Sequence, residues 1–349
     1  MSYETYIKNL YRPPLEKTDR DQYICLDKNE PPFSAFDTIE NMFDNNDMKM
    51  LRVYPDLYDL YEVLSLFVGV DIHNLLITQG SEQALKYVFE VFVEAGDEVV
   101  YYNPSFAMYD VFSFLKKANV KHIEFNDDTT ANLDDILTAV TNKTRLFSLI
   151  NPHNFTGKMF SIDEIYTIAK HLEKTNTIFL LDEAYFHYVE LDTISLINQF
   201  SNIIITRTFS KALGIPGARV GYAISTANNI ELLRKFKPID EIDYLAGTVA
   251  KKVLENSESI LEKNVTQVKK WQQIFKTSNL EKIEYIDTYA NFILLRSFNY
   301  EVHKELLLEN KFLIKYDFKQ KCLKDCIRFS IIDDKNMEKI LKLLQKKDD

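Results

Sequence analysis

The chain has 349 residues, 46% of them hydrophobic, with 42 basic against 52 acidic side chains and a formal net charge of −10 at pH 7. That length is long for one core and predicts two domains, and the apolar share argues against wholesale disorder. The acidic balance argues against a nucleic-acid footprint or an anionic membrane surface as partner. The first stretch, MSYETYIKNLYRPP, is polar and carries no apolar signal core, and no run in the chain is long enough to span a bilayer. Further on, NLLIT (74–78) reads as a strand followed by a helix, SEQALKYVFEVFVEAG, with apolar positions at 85, 88, 89 and 92. DEVVYY (97–102), TRLFSLI (144–150), TIFLLDEAY (177–185), NIIITRT (202–208) and RVGYAIS (219–225) are further strand candidates. The segments between them suit crossover helices, and SIDE at 161–164 reads as a capping box. This order predicts an α/β fold with βαβ units, a mostly parallel sheet and helices covering it.

From about residue 228 the pattern changes to long charged helical stretches, then two strand-like runs, NFILLR (291–296) and CIRFSII (326–332), and a last amphipathic helix. The reading is a large domain over 46–227 and a smaller α+β domain built from 228–349, onto which residues 1–45 pack. Cys25, Cys322 and Cys326 are too few for a disulfide framework and fit a reducing compartment, hence a soluble cytoplasmic protein. The Cys322/Cys326 spacing without a second pair or nearby histidines favours ordinary cysteines over a metal site.

Unusual polar residues fall at the strand ends. Gly80 and Ser81 follow the first strand, Asn103 to Phe106 the second, and Asn151 and Asn154 the third; Asp182 and Tyr185 close the fourth, and Thr208, Ser210 and Lys211 follow the fifth. In an open parallel sheet these ends share one edge, where ligands bind. Singly each has a bland reading: Asp182 as a helix cap, Asn154 as a turn, Gly80–Ser81 as a helix start, Lys211 as a surface lysine, Phe106 as core. Their convergence has none. Glycine sharpens the point: there are 8, where average usage of ~7% would give roughly 24. Five of those 8 (Gly80, Gly157, Gly214, Gly217 and Gly221) sit in these loops.

With NPHNFTG, LLDEAY and TFSKALGIPGARVGY in this order and spacing, the sequence resembles the fold-type I pyridoxal-phosphate enzymes of the class I/II aminotransferase group, and within it the histidinol-phosphate aminotransferase-like branch. The resemblance runs from LDKNEPP (26–32) to IRFSI (327–331). It implies that Lys211 forms a Schiff base with pyridoxal 5'-phosphate, for which a primary amine is required, and then shuttles the Cα proton. Thr208, Ser210, Arg219 and the N–H groups of Gly80 and Ser81 would bind the cofactor phosphate. Asp182 would pair with the pyridine nitrogen, Asn154 and Tyr185 with the phenolic oxygen, and Phe106 would stack on the ring. Tyr54 matches a tyrosine that reaches the phosphate across a subunit interface, which implies a homodimer. Arg328 matches a substrate-gripping arginine, while Tyr11, Asn29 and Lys315 are further substrate candidates; Tyr11 reads equally well as a packed aromatic.

Two departures stand out. Phe155 occupies a position where the family carries proline, and Lys315 stands nearest to where histidinol-phosphate enzymes carry a second substrate arginine. The reading is an aminotransferase for a small phosphorylated amine or keto substrate, with glutamate as amino donor and ping-pong kinetics. A decarboxylase of O-phosphoamino acids competes on the same scaffold, since the bond that breaks depends on how the substrate is anchored. A non-catalytic binding module is the remote alternative, and the joint presence of Lys211, Asp182 and Arg219 speaks against it.

Overall fold

The structure is a computed structural model that describes residues 7, 8, 10, 20–280 and 282–346. Its centre is a seven-stranded sheet of β2 (Leu75–Thr78), β3 (Glu98–Asn103), β4 (Asn119–Glu124), β5 (Thr144–Ile150), β6 (Ile178–Asp182), β7 (Ile203–Thr208) and β8 (Gly221–Ser225), in the order β2-β8-β7-β6-β5-β3-β4. Only β8 runs against its neighbours; the other six strands point one way.

Alternation along the strands sends side chains into two cores. Leu76, Tyr101, Leu146, Leu180 and Ile204 meet the helices Gly80–Phe92, Ala107–Lys116 and Ala227–Arg234 on one face. Ile77, Val100, Phe147, Leu181 and Ile205 join the larger core on the other. Burial on both faces explains why these strands read as near-continuous apolar runs. The capping box expected at SIDE is present: Ser161 and Glu164 satisfy each other's backbone at the start of the helix Ile162–Lys174. The strand β4 escaped the sequence reading because it is an edge strand, NVKHIE, with a single buried residue.

The second sheet is antiparallel, ordered β12-β10-β9 from β9 (Ile283–Ile286), β10 (Phe292–Ser297) and β12 (Cys326–Ser330). It packs with the long helix Ser257–Thr277 and the last helix, Asp334–Lys346. β9 was not expected, having only two buried positions. Near the N-terminus, β1 (Ile24–Cys25) pairs in parallel with β11 (Phe312–Leu313), and the Leu26 carbonyl accepts from Ser330 N–H at 2.9 Å. The three cysteines are free, and burial pushes the Cys322 and Cys326 thiols up to about 11. Among the described residues no helix is long and apolar enough to cross a membrane, and no cluster of metal-ligating side chains occurs.

Candidate active site

Because six strands run in parallel, the residues closing β2, β3, β5, β6 and β7 lie along one sheet edge, and a cavity of about 430 Å³ opens there. Asp182 is the last residue of β6 and Thr208 the last of β7; Ser210 and Lys211 follow on the turn. Ser81, Phe106, Asn154 and Tyr185 line the same cavity from the large sheet's loops. Asn29, Lys315 and Arg328 close it from the side of the second sheet.

The Lys211 ammonium donates to the carbonyls of Lys28 (3.0 Å) and Asn29 (2.8 Å). Burial pushes its pKa down to about 7, assisted by the Arg328 charge and opposed by Glu30. A lysine so placed holds a substantial neutral fraction near pH 7, which nucleophilic and base chemistry both need. Across the cavity Asp182 is buried; it accepts from the Tyr109 hydroxyl (3.1 Å) and the Ala184 N–H (3.2 Å). Burial raises its carboxyl to about 6, the Tyr109 bond working the other way. A cation placed against that carboxylate would be strongly held.

Arg219 approaches the start of the helix Gly80–Phe92, where unpaired N–H groups favour anions. Its Nη1 donates to Ser210 Oγ and to the Pro216 carbonyl, both at 3.2 Å, and its backbone sits in the left-handed region at φ 53°. Gly80 suits this start because its backbone lies in the left-handed region at φ 72°, and a Cβ there would also displace Arg219 Nη2, 2.7 Å away. At Gly221 a Cβ would run into the Ser81 backbone nitrogen, so β8 and this helix start meet at two glycines. Thr208 Oγ1 accepts from the Ser210 N–H at 3.1 Å and shapes the same turn.

On the opposite wall the Tyr185 hydroxyl accepts from Asn29 Nδ2 at 2.9 Å. Arg328, buried on β12, donates to the carbonyls of Asn154 and Asp27 and lies over the rings of Phe155 (5.3 Å) and Phe292 (5.1 Å). Burial lowers its pKa to about 10. Lys315 is bridged to Arg328 through the backbone, which puts two cations side by side. Asn154 Oδ1 and Arg328 Nε are buried and without partners. Orphaned polar atoms around a polar cavity mark where a ligand's groups would complete the bonding.

Two other expected residues stand apart. Gly80 shapes the cradle without lining the cavity. Tyr54 is 88% exposed on this single chain. Tyr11 lies outside the described residues. Three contributors were missed by sequence reasoning. Tyr109 holds Asp182, and its place one helical turn after Phe106 was the signal available. Asn291 donates to the carbonyls of Asn29 and Glu30, both at 3.0 Å; it precedes a strand, where a rule about strand ends does not look. His153 Nδ1 accepts the N–H groups of Phe155 and Thr156 (3.3 Å each) and so ties the loop carrying Asn154.

An amine poised near neutrality, a buried carboxylate facing it, and an anion cradle at a helix start fit pyridoxal phosphate, and fold and site together define a fold-type I enzyme dependent on that cofactor. The family model described as aminotransferase class I and II matches residues 21–344. The chain belongs to that family and is a pyridoxal-phosphate-dependent aminotransferase. It is 31% identical over 313 residues to a histidinol-phosphate aminotransferase of Caldanaerobacter subterraneus subsp. tengcongensis, covering 88% of each chain. Among solved structures it resembles a histidinol-phosphate aminotransferase from Sinorhizobium meliloti in complex with pyridoxal-5'-phosphate, with TM-score 0.82 and 21% identity over 99% of this chain and 96% of that one. An L-threonine-O-3-phosphate decarboxylase from Porphyromonas gingivalis shares the fold, with TM-score 0.73 and 20% identity over 93% of this chain and 98% of the other.

Proposed function

We propose that the protein transfers an amino group between glutamate and a small phosphorylated carbonyl compound in two half-reactions, as a cytoplasmic homodimer. The observation that carries this reading is the meeting of Lys211, Asp182, Arg219 and Arg328 on one cavity. When bound, pyridoxal phosphate supplies a carbonyl for the amine and a ring that takes up electron density from the bonds broken beside it. The residues here supply the rest. Arg219, Ser210, Thr208 and the N–H groups at Gly80 and Ser81 would hold the phosphate; Asp182 would hold the ring nitrogen, Asn154 and Tyr185 the phenolic oxygen, and Phe106 would cover the ring face.

Lys211 Nζ, near-neutral through burial, would anchor the cofactor and then accept the substrate Cα proton. Arg328 grips the donor's carboxylate by a charge-assisted fork. The phosphate of the second substrate lies against Lys315 and Arg328, with Asn29 assisting. That substrate assignment draws on the histidinol-phosphate enzymes the chain resembles. We divide the chain into a cofactor domain (46–227) and a small domain (1–45 with 228–349), a division supported by the pairing of β1 with β11.

Absorbance of the purified holoenzyme tests the reading. L-glutamate should remove the visible band of the bound cofactor, a keto acid should restore it, and Lys211→Ala should abolish turnover. The neighbouring decarboxylase fold makes a second reading specific. A band indifferent to glutamate, with CO₂ released from an O-phosphoamino acid, would replace transamination by decarboxylation.

A further inference from the structure

Tyr109 touches two of the side chains expected at the cofactor ring, Phe106 and Asp182. Its helix, Ala107–Lys116, starts immediately after Phe106, and the Tyr109 N–H donates to the Phe106 carbonyl at 2.9 Å. The two rings meet edge to face, with centroids 6.3 Å apart and planes at 85°. At its other end the Tyr109 hydroxyl donates to Asp182 Oδ2 at 3.1 Å. The ring between these ends is fully buried, packed on Phe89 (6.2 Å) and Tyr101 (5.5 Å).

A carboxylate offers about four acceptor positions. Asp182 uses one on each oxygen for well-formed bonds to the protein, Oδ1 for Ala184 N–H and Oδ2 for Tyr109, and the Thr206 side chain beside it also favours the charge. Lone pairs remain for the cavity, and the two donors set the plane in which they point. Burial opposes the Asp182 charge, and the Tyr109 hydroxyl is the largest contribution favouring it. Of the groups around the cavity, only this side chain connects the ring-stacking position to the ring-nitrogen position among the described residues' hydrogen bonds and ring contacts.

We propose that Tyr109 is a positioning residue for the cofactor ring, its hydroxyl orienting Asp182 and its edge bracing Phe106. The proposal rests on the cofactor roles given above to Asp182 and Phe106. The test is Tyr109→Phe, which keeps every ring contact and removes one hydroxyl. Titrating apoprotein with pyridoxal phosphate should show Kd raised about tenfold, as expected for losing a hydrogen bond to a charged group. Steady-state kinetics should show kcat lowered about tenfold with KM for glutamate within about twofold. The melting temperature of the apoprotein should fall by no more than a few degrees, as for one hydrogen bond with the ring packing kept, which separates positioning from packing.

In an Asp182→Asn background the same substitution should change Kd little, because the carboxylate it acts through is gone. Kd and kcat within about twofold of wild type for Tyr109→Phe would overturn the proposal. So would an equal loss of affinity in the Asp182→Asn background. Wild-type protein that takes up no pyridoxal phosphate would overturn the cofactor reading and this proposal together, a different result from either of those.

Discussion

Lys211 is where burial and charge act on one atom. Loss of hydration opposes its proton, and the Arg328 guanidinium adds repulsion, bringing the amine to about 7. The apoprotein should therefore react at Lys211 with an amine-acylating reagent at a rate that rises through pH 7, followed by mass spectrometry of the labelled peptide. Arg328→Gln removes the repulsion and should move that midpoint upward; identical midpoints in both proteins would show that Arg328 does not act on the amine. At this scale much of the site was legible. Lys211, Asp182, Asn154 and Ser81 follow strand ends, and five such ends share an edge in a parallel sheet. The side chains that hold them were not legible. No periodicity in the sequence marks Tyr109 or His153, because a buried bond to Asp182 or to a backbone N–H leaves no such trace.

Between β6 and β7 a buried ion pair fixes the strand ends that carry the chemistry. Glu183, directly after Asp182, accepts from Arg207 Nε at 2.8 Å and from Thr193 Oγ1 at 2.6 Å. Their side chains are 4% and 1% exposed for Arg207 and Glu183, and the guanidinium lies 3.5 Å above the Phe186 ring. Arg207 precedes Thr208, so the pair ties the Asp182 strand to the Lys211 strand. Removing one partner leaves an uncompensated buried charge, which costs about 3–5 kcal/mol. Glu183→Ala should lose stability of that order in urea unfolding; a loss below about 1 kcal/mol would mean Arg207 finds another partner. Elements themselves were largely legible, because strands buried on both faces announce themselves as apolar runs. The exposed β4 and the short β9 did not, and nothing in RVGYAIS revealed that β8 runs antiparallel. Arg219, read there as strand, instead sits in a left-handed turn ahead of β8.

Across the whole molecule, folding withdraws several titratable groups from water with opposite consequences for pH. His153 is buried and His187 partly so, its Nε2 inaccessible, and desolvation pushes both pKa values down to about 3. Below pH 6.5 the unfolded chain binds protons there that the folded chain refuses, so each lowers stability by up to about 1.4 kcal/mol per pH unit. Asp182, raised to about 6, acts the other way between pH 6 and 3.8. The net expectation for the apoprotein is falling stability from pH 6.5 toward 4. His187 packs on Phe67 and Phe186, so His187→Phe should flatten that slope by about one proton, read from urea midpoints at several pH values. An unchanged slope would mean His187 stays protonated in the fold. One exposed stretch remains: Tyr54 is 88% exposed, and Met48, Leu51, Val53 and Tyr58, close to it in the sequence, are exposed too. Exposed apolar side chains concentrated in one stretch of chain would be covered if they met their counterparts across a two-fold axis. If Tyr54 of one subunit completes the phosphate cradle of the other, Tyr54→Ala and Lys211→Ala chains should complement each other. Each mixed dimer then holds one intact site, with Lys211 from one chain and Tyr54 from the other, and one site carrying both lesions. Random reassortment of equal amounts makes about half of the dimers mixed, so activity should recover to about a quarter of wild type. Recovery would place Tyr54 across the interface, whereas no gain over the separate variants would rule that placement out.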